Sequence, residues 1–368
     1  MKKTLSEIFE IGSGGTPSKS HPEFYGGNIP WIKTGDLKSE YLYEAESFIT
    51  DEGLKNSSAK MYETDTVLIA MYGATIGATS ILKFPACTNQ ACAAFKRSEE
   101  ILPEYLYYFL RSQKDKFVSD GVGGAQPNIS AGYLKKVKII VKPLEEQESI
   151  ICILDKLNHL LEVRENQLKE LDTIIKARFV ELFGNPKTNE KGFTKAPMGE
   201  YMTLLTDFSS NGSYKTLDSG VTMYDEPNYA WMVRTTDLES GDMSSIKYID
   251  EKAYELLSKS KIYGGEIIMN KIGSAGKVYL MPEIDMPASL GRNAFMFRYD
   301  DRINVRFLYE QLVSEYGQAE IQQYVRGAVT KTITKDDARS VLIIVPEKEL
   351  QDEYAEFVKQ VDKSKFNL

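Results

Sequence analysis

An internal duplication is the feature that most limits how this chain can fold. "PWIKTGDL" begins at Pro30 and "AWMVRTTDL" begins at Ala230, and the two tryptophans of the chain stand in these segments. Further matched segments follow in the same order in each half: "TVLIAMYGATIG" (66–77) with "EIIMNKIGSAG" (266–276), "TNQACAAF" (88–95) with "GRNAFMF" (291–297), "PEYLYYFLRS" (103–112) with "VRFLYEQLVS" (305–314), and "VKIIVKP" (137–143) with "VLIIVP" (341–346). A solenoid needs several stacked repeats, and two are too few. Each half is therefore predicted to be a domain with its own core.

The pattern inside each half predicts the fold class. β-branched segments alternate with turns and with one or two helical stretches, which is typical of mixed α and β structure. The length of 368 residues is enough for two such cores. We predict an α+β protein in which two similar α/β domains are separated by long helices that pair as an antiparallel coiled coil. The predicted bounds are 1–143 for the first domain, 144–184 for a central long helix, 185–346 for the second domain, and 347–368 for a short or truncated distal helix.

A long helix is predicted between the two halves. Pro143 and the acidic residues after it are typical of a helix start, and Gly184 with Pro186 of a helix end. At 1.5 Å per residue such a helix is roughly 60 Å long, which favours a spacer. Its heptad pattern predicts a coiled-coil seam, with arginines at two d positions (Arg164 and Arg178) and apolar residues at Leu154, Leu157, Leu161, Leu168, Leu171, Ile175 and Leu182.

The distal helix carries the same kind of spacing. Leu350, Tyr354, Phe357 and Val361 are its predicted seam residues. This segment is about half as long as the central one, so an antiparallel pair of the two is predicted to be incomplete. A natural truncation, a cloned fragment and a partner that covers the exposed stretch are all consistent with this difference.

Composition excludes several classes of protein. Three cysteines without a CxxC pair and only two histidines favour reduced thiols in a cytoplasmic protein and no metal centre. Apolar stretches such as 341–345 are too short to cross a membrane, and no signal peptide follows the first residues. The net charge of −8 argues against a uniformly basic surface, although it permits a local basic face.

Motifs of common enzymes are missing. Lys277 is followed by valine, so the glycine-rich segment around it does not match GxxxxGK[ST], and GxGxxG is absent. The N-P-P-[YF] or D-P-P-[YF] tetrad of amino-methyltransferases is absent, and neither His21 nor His159 lies in a nucleophile motif. We expect the chain to be non-catalytic and the glycine-rich segments to be turns.

Two similar domains on a helical spacer suit a ligand that itself repeats, and double-stranded DNA is the natural candidate. Polar residues in the repeated loops are the candidate contacts to bases and phosphates. They are Lys33, Thr34, Asn89, Gln90, Gln126, Asn128, Lys135 and Lys136 in the first half, and Arg234, Thr235, Lys271, Arg292, Asn293, Arg326 and Lys331 in the second. For each one alone, a solvated surface side chain is the alternative. Asp36 and Asp237 are expected to brace loops, and the tryptophans to pack in the cores.

Several segments resemble one known family. "SGGTPSKSHPEFYGGNIPWIKTGDL" (13–37), "TNQAC" (88–92), "QPNIS" (126–130), "PLEEQ" (143–147) and "ELFGNP" (181–186) resemble the specificity (S) subunits of type I restriction–modification systems. The order of domain, central helix, domain and distal helix is also similar, and the resemblance covers essentially the whole chain.

The resemblance implies a function. Each domain would be a target-recognition domain that reads one half of a bipartite DNA target, and the helices would set the spacing and dock two adenine-N6 methyltransferase (M) subunits. Restriction (R) subunits would join the complex. S-adenosylmethionine, ATP and Mg are implied as cofactors of those partners, and none is implied for this chain.

Three alternatives stay open at this point. The chain could be a structural scaffold with two protein-binding domains, a truncated and inactive specificity subunit, or an enzyme with a degenerate active site.

Overall fold

The computed structural model describes residues 1–121 and 128–366. The chain divides into two compact units, Met1–Val163 (unit 1) and Arg164–Leu368 (unit 2). The boundary falls within the long central helix, so each unit includes part of that helix. The candidate residue Gln126 lies outside the described residues.

Unit 1 is built from short strands and helices in alternation. Its strands are β1 (Lys2–Thr4), β2 (Ile11–Ser13), β3 (Tyr25–Ile32), β4 (Tyr41–Leu42), β5 (Phe48–Ile49), β6 (Met61–Tyr62), β7 (Val67–Ala70), β8 (Thr79–Leu82), β9 (Ala86–Thr88), β10 (Cys92–Phe95) and β11 (Lys138–Ile140). Its helices are α1 (Leu5–Ile8), α2 (Asp51–Lys55), α3 (Pro103–Ser112), α4 (Lys114–Ser119), α5 (Ala131–Lys136) and the first part of α6 (Leu144–Phe183).

Two main sheets form the centre of unit 1. One has the strand order β2-β10-β7-β8-β4 and the other β5-β3-β9-β6, while β1 and β11 form a separate antiparallel pair. Strand β7 is apolar throughout because it is buried on both faces. Val67 and Ile69 face the core that includes α3 and α5, and Leu68 and Ala70 face a second core.

Unit 2 repeats this plan. Its strands are β12 (Thr194–Pro197), β13 (Met202–Asp207), β14 (Ala230–Val233), β15 (Lys247–Ile249), β16 (Lys261–Ile262), β17 (Ile267–Asn270), β18 (Val278–Leu280), β19 (Ala288–Leu290), β20 (Ala294–Tyr299) and β21 (Leu342–Val345). Its helices after α6 are α7 (Tyr214–Gly220), α8 (Thr235–Ser240), α9 (Glu251–Leu256), α10 (Val305–Val313), α11 (Glu315–Gln322), α12 (Lys335–Ser340) and α13 (Lys348–Phe366).

The sheets of unit 2 match those of unit 1 except that β4 has no counterpart. Their orders are β13-β20-β17-β18 and β15-β14-β19-β16, with β12 and β21 as the separate pair. In both units the second sheet contains one parallel pair, β3 with β9 and β14 with β19. The predicted α+β class and the duplication of an α/β domain are confirmed.

The tryptophans, however, are not equivalent residues. Trp31 lies five positions before Asp36, whereas Trp231 lies six positions before Asp237. Neighbouring residues of a strand point to opposite faces, so this offset turns the two rings in opposite directions. Trp31 is buried in a small core, as predicted, while Trp231 is half-buried against the core between the sheets of unit 2.

The helix predicted at 144–184 is present as α6, and α13 packs against its C-terminal part within unit 2. The Tyr354 hydroxyl donates a 3.3 Å hydrogen bond to the carbonyl oxygen of Ile175. Ion pairs join Arg178 to Glu353 at 2.7 Å and Asp172 to Lys365 at 2.6 Å. Residue numbers rise along one helix as they fall along the other, so the two helices are antiparallel, as predicted.

The predicted seam residues of α6 lie in three environments. Ile175 is buried, and Leu154, Leu171 and Leu182 are half-buried. Leu157, Leu161 and Leu168 are 51%, 62% and 38% exposed. The buried contact with α13 is instead extended by two residues outside the predicted set, Phe179 and Phe183.

The buried face of α13 keeps two of the four predicted residues and replaces the other two by their neighbours. Tyr354 and Val361 are buried as predicted, but Gln351 and Val358 accompany them, and Leu350 and Phe357 are half-buried at the margin. The reason is the aromatic cluster around Tyr354. Its ring meets Phe183 at 5.4 Å and Phe179 at 5.5 Å between centroids, and this packing sets the rotation of the helix.

A buried glutamine anchors each helix to its unit. Gln147 accepts a 2.9 Å hydrogen bond from the Leu102 amide and donates to the Lys142 carbonyl oxygen at 2.8 Å. Gln351 repeats both contacts, with the Asn304 amide and the Pro346 carbonyl oxygen, each at 2.8 Å. Both side chains are completely buried.

Across the residues that the structure describes, no helix has the length and apolar character needed to span a bilayer.

Candidate nucleic-acid interface

The candidate residues of the first repeated segments meet at one edge of each unit. Because β3 and β9 are parallel neighbours, the loops that follow them open onto the same edge of the sheet, and these loops carry Lys33–Thr34 and Asn89–Gln90. In unit 2 the loops after β14 and β19 carry Arg234–Thr235 and Arg292–Asn293 in the same way. We call this the strand-end edge. Loops at the carboxyl ends of parallel strands are a common place for binding sites.

An aspartate shapes the first loop of each strand-end edge. Asp36 accepts the backbone N–H of Lys33 at 2.8 Å, and Asp237 accepts that of Arg234 at 2.9 Å. In both units the carboxylate closes the first turn after the strand, which is the contact that the N3 residue of a capping box makes with the N-cap backbone. The prediction that these aspartates brace loops is confirmed.

The guanidinium of Arg234 is directed towards Asp237. Its Nε and Nη2 donate to this carboxylate at 3.1 and 2.5 Å, and Nη2 also donates to the Ser245 carbonyl oxygen at 3.1 Å. The hydrogen bonds to Asp237 raise the pKa of Arg234 above its usual range. Arg234 therefore stabilises the loop, and its contact with DNA stays a prediction.

The tip of the second loop differs between the units. The backbone N–H groups of Asn89 and Gly291 each donate to the last residue of the neighbouring parallel strand, at 2.9 and 2.8 Å. The residues after them, Gln90 and Arg292, are therefore structurally equivalent, and both side chains are exposed. Asn89 uses its own side-chain oxygen to accept the Ala91 amide at 3.2 Å. One unit thus presents an amide where the other presents a guanidinium.

A third loop joins each edge. In unit 1, Asn128 forms a backbone bridge with Tyr72. In unit 2, Thr332 bridges both Ile272 and Arg326, which closes a hairpin over 326–332 that carries Lys331. The side chain of Val329 at the tip of this hairpin is 98% exposed, and Arg326 pairs with Asp337 at 2.9 Å.

Asn293 and Lys271 link the second and third loops of unit 2. Asn293 adopts a positive φ of 69° and its carbonyl oxygen accepts the Lys271 amide at 2.8 Å. The Lys271 amine pairs with Asp207 at 2.7 Å, and Lys335 pairs with the same carboxylate at 2.9 Å. Although burial by itself would raise the pKa of Asp207, hydrogen bonds from both lysines and from Ser210 hold it well below its usual range.

Lys335 and Asp207 were not among the candidates. Their sequence separation is large, and no local pattern joins a strand end to the first turn of α12. The carboxylate neutralises part of the charge of Lys271.

One of the two lysines of α5 belongs to a basic groove in unit 1. Lys135 and Lys136 form the last turn of this helix, and Lys136 lines a cavity of about 640 Å³ together with Lys2, Lys116 and Lys138. The rings of Tyr105, Phe109 and Tyr133 form its apolar wall. Tyr133 also lines a neighbouring cavity beside Tyr72 and Asn128, so the groove adjoins the third loop.

Together these features describe a protein that presents two versions of one candidate surface, each built on a parallel strand pair and anchored to a helix. The sequence model of the family described as Type I restriction modification DNA specificity domain matches residues 1–173 and 199–368. The chain belongs to this family, which confirms the resemblance found in its sequence.

Similar proteins are also described as type I restriction enzyme specificity subunits. The chain is 33% identical over 188 residues to the type I restriction enzyme MjaIX specificity subunit of Methanocaldococcus jannaschii, an alignment that covers 50% of this chain and 42% of the relative. It is 22% identical over 377 residues to the MjaVIII specificity subunit of the same organism, covering 97% and 85%. A type I specificity subunit from Escherichia coli is 33% identical over 164 residues, which is 41% of its length.

Solved structures share the fold. The type I restriction–modification S subunit from M. genitalium matches 100% of this chain and 90% of its own with a TM-score of 0.53 at 15% identity. A chain from a structural study of complex assembly and conformational transition in the type I R-M system covers 100% and 91%, with a TM-score of 0.58 at 16% identity.

Proposed function

We propose that the chain is the DNA-sequence-specificity subunit of a type I restriction–modification complex. Each unit acts as a target-recognition domain and contacts one half of a bipartite double-stranded DNA target. The observation that carries this proposal is the repetition of the site. The same loops, with the same aspartate brace, occur in both units of a chain that belongs to the DNA specificity family.

The chemistry of the loops suits DNA. Amide and guanidinium groups such as those of Gln90 and Arg292 can form paired hydrogen bonds to base edges in the major groove. Lysines, threonines and backbone N–H groups contact phosphates and position the protein. The lysine groove of unit 1 offers a local positive surface on a chain whose net charge is −8.

The helices are the proposed docking site for two adenine-N6 methyltransferase subunits. In unit 1, α6 exposes Ile153, Leu157, Leu160 and Leu161 by 58%, 51%, 55% and 62%. Several large apolar side chains on adjacent turns favour a protein partner. Restriction subunits join the same complex. The chain itself is non-catalytic, and S-adenosylmethionine, ATP and Mg are bound by the partner subunits.

Expression of the chain with its methyltransferase, followed by mapping of N6-methyladenine across the host DNA, tests the proposal. We expect a split motif with one modified adenine in each half. A methylated motif without a gap, or methylation that is unchanged when this chain is left out, would contradict it. A chain that binds the methyltransferase but directs no methylation would instead indicate a scaffold or an inactive specificity subunit.

A further inference from the structure

The equivalent tip residues Gln90 and Arg292 differ from the nearby cations Arg234 and Lys271 in how they are held. Arg234 is tied to Asp237, whose side chain is 2% exposed, and Lys271 to Asp207, whose side chain is 8% exposed. The partner of Arg292 is Asp218, which is itself 56% exposed. The Arg292 side chain is thus held at the surface, whereas the charged groups of Arg234 and Lys271 pair with buried carboxylates.

The side chain of Arg292 contacts two aromatic rings and one carboxylate. The guanidinium carbon lies 5.1 Å from the centre of the Phe208 ring and 5.6 Å from that of Tyr214. Its Nη2 donates to Asp218 on α7 at 3.1 Å. Aromatic faces and one carboxylate restrict the plane of the guanidinium, which lowers the entropy lost on forming a paired contact. A guanidinium has five N–H donors, and the contact with Asp218 uses one of them.

The space beside Arg292 can admit a base edge. A cavity of about 310 Å³ adjoins it, lined on its apolar side by residues that include Met223 and Met232. The preceding residue is Gly291, where an added Cβ would lie 2.9 Å from the Val233 carbonyl oxygen. Glycine here lets the two strand ends approach closely and leaves Arg292 as the side chain that projects.

Gln90 is held in a comparable way in unit 1. Its Oε1 accepts a hydrogen bond from the Thr16 hydroxyl. Thr16 follows β2, as Asp218 follows β13, so each tip is held from the segment after the corresponding first strand of its sheet. A carbonyl oxygen has two lone pairs, so Oε1 can accept a second hydrogen bond while Nε2 donates.

These geometries correspond to different bases. Arginine pairs in bidentate fashion with O6 and N7 of guanine, and glutamine with N6 and N7 of adenine. We propose that this single equivalent position selects a purine in each half-site: adenine opposite Gln90 and guanine opposite Arg292, with Thr16 and Asp218 as positioning residues. The inference rests on the proposed function and adds the base that each unit selects at one position.

The test uses the complete complex of the chain with its methyltransferase subunits and compares methylated motifs between variants. Arg292→Gln is expected to replace guanine by adenine at one position of one half-site, and Gln90→Arg to make the reverse change in the other half-site. Arg302→Gln is the matched control, because Arg302 also pairs with an aspartate, Asp300, and lies over a tyrosine ring, but follows the opposite end of β20. Its motif should not change.

Asp218→Asn tests the positioning role. We expect discrimination at the same position to fall by a fraction of the roughly 5- to 150-fold that a bidentate contact provides, with binding to the methyltransferase unchanged. Asp300→Asn is its control. A structural role alone would lower methylation at every site equally and leave base preference intact.

The outcomes separate the two proposals. No split motif for the wild-type complex would overturn the proposed function. A split motif that Arg292→Gln leaves unchanged, or changes in both half-sites, would overturn this inference alone. If Arg292→Gln abolishes methylation, Arg292→Ala in a binding assay with all four bases at each position decides, because loss of guanine preference at one position is expected and an unchanged profile contradicts it.

Discussion

Units 1 and 2 share their scaffold and differ at the tips of their loops. Backbone contacts repeat closely: the aspartate brace at Asp36 and Asp237, and the buried glutamines Gln147 and Gln351. Exposed side chains do not repeat, as Gln90 and Arg292 show. The comparison indicates that residues which satisfy buried backbone groups are constrained by the fold, whereas those at the strand-end edge can vary without altering it.

The largest expected effect comes from the helix contact in unit 2. Phe183 is fully buried, with its ring centre 4.7 Å from that of Phe307 and 4.9 Å from that of Phe179. Phe183→Ala should lower the free energy of unfolding of unit 2 by about 3–5 kcal/mol, because it leaves a cavity in this cluster. Urea unfolding followed by Trp231 fluorescence in a Trp31→Phe background measures it. Val180→Ala, at a side chain that is 60% exposed, is the control and should change little.

The buried glutamines test whether the scaffolds are energetically equivalent. Gln147→Ala and Gln351→Ala each leave backbone groups without their partners, at a cost of about 2–4 kcal/mol. Gln147→Ala should destabilise unit 1, reported by Trp31 in a Trp231→Phe background, and Gln351→Ala should destabilise unit 2, reported by Trp231. A large loss of stability in one unit and a negligible loss in the other would show that the two glutamines share their geometry but not their contribution to stability.

Asp207 should give unit 2 its own dependence on pH. Its folded-state pKa is lowered, so its contribution to stability is complete above the unfolded pKa of about 3.9 and is lost as the pH falls towards the folded value. Asp207→Asn should therefore cost about 2 kcal/mol at pH 7 and less at pH 3. Urea unfolding at both pH values, monitored by Trp231, gives this difference. An equal cost at both values would mean that the charge of Asp207 is not what matters.

The smallest expected effect concerns the lysine groove of unit 1. Lys136→Ala should weaken DNA binding of the methyltransferase complex a few-fold for every sequence and reduce the salt slope by about 1. Lys55→Ala is the matched control, since Lys55 also stands in the last turn of a short helix. A change in base preference, or an equal effect of both variants, would remove the groove from the proposed interface.

Much of the architecture was predictable because its signals are local or periodic. The matched order of segments indicated two similar domains, and the heptad pattern with its Pro143 and Gly184 boundaries indicated the helix observed at Leu144–Phe183. The aspartate braces were also expected, since an Asp three residues after the N-cap position can accept the N-cap backbone N–H and so close the turn. The strand-end edge then follows from the parallel pairing of strands, which brings separate loops together.

Other features depended on contacts between residues far apart in the sequence. A heptad pattern leaves neighbouring registers close in energy, and the packing of Phe179, Phe183 and Tyr354 selected one of them. The pairing of Lys335 with Asp207 and the support of Arg292 by Asp218 were likewise decided by tertiary structure. The sequence by itself determined the repeated plan, because backbone periodicity is local. Only the folded chain decided which polar groups face solvent and which pair with buried partners. Ion pairs and ring contacts depend on distances between atoms, which the separation of residues in the sequence does not encode.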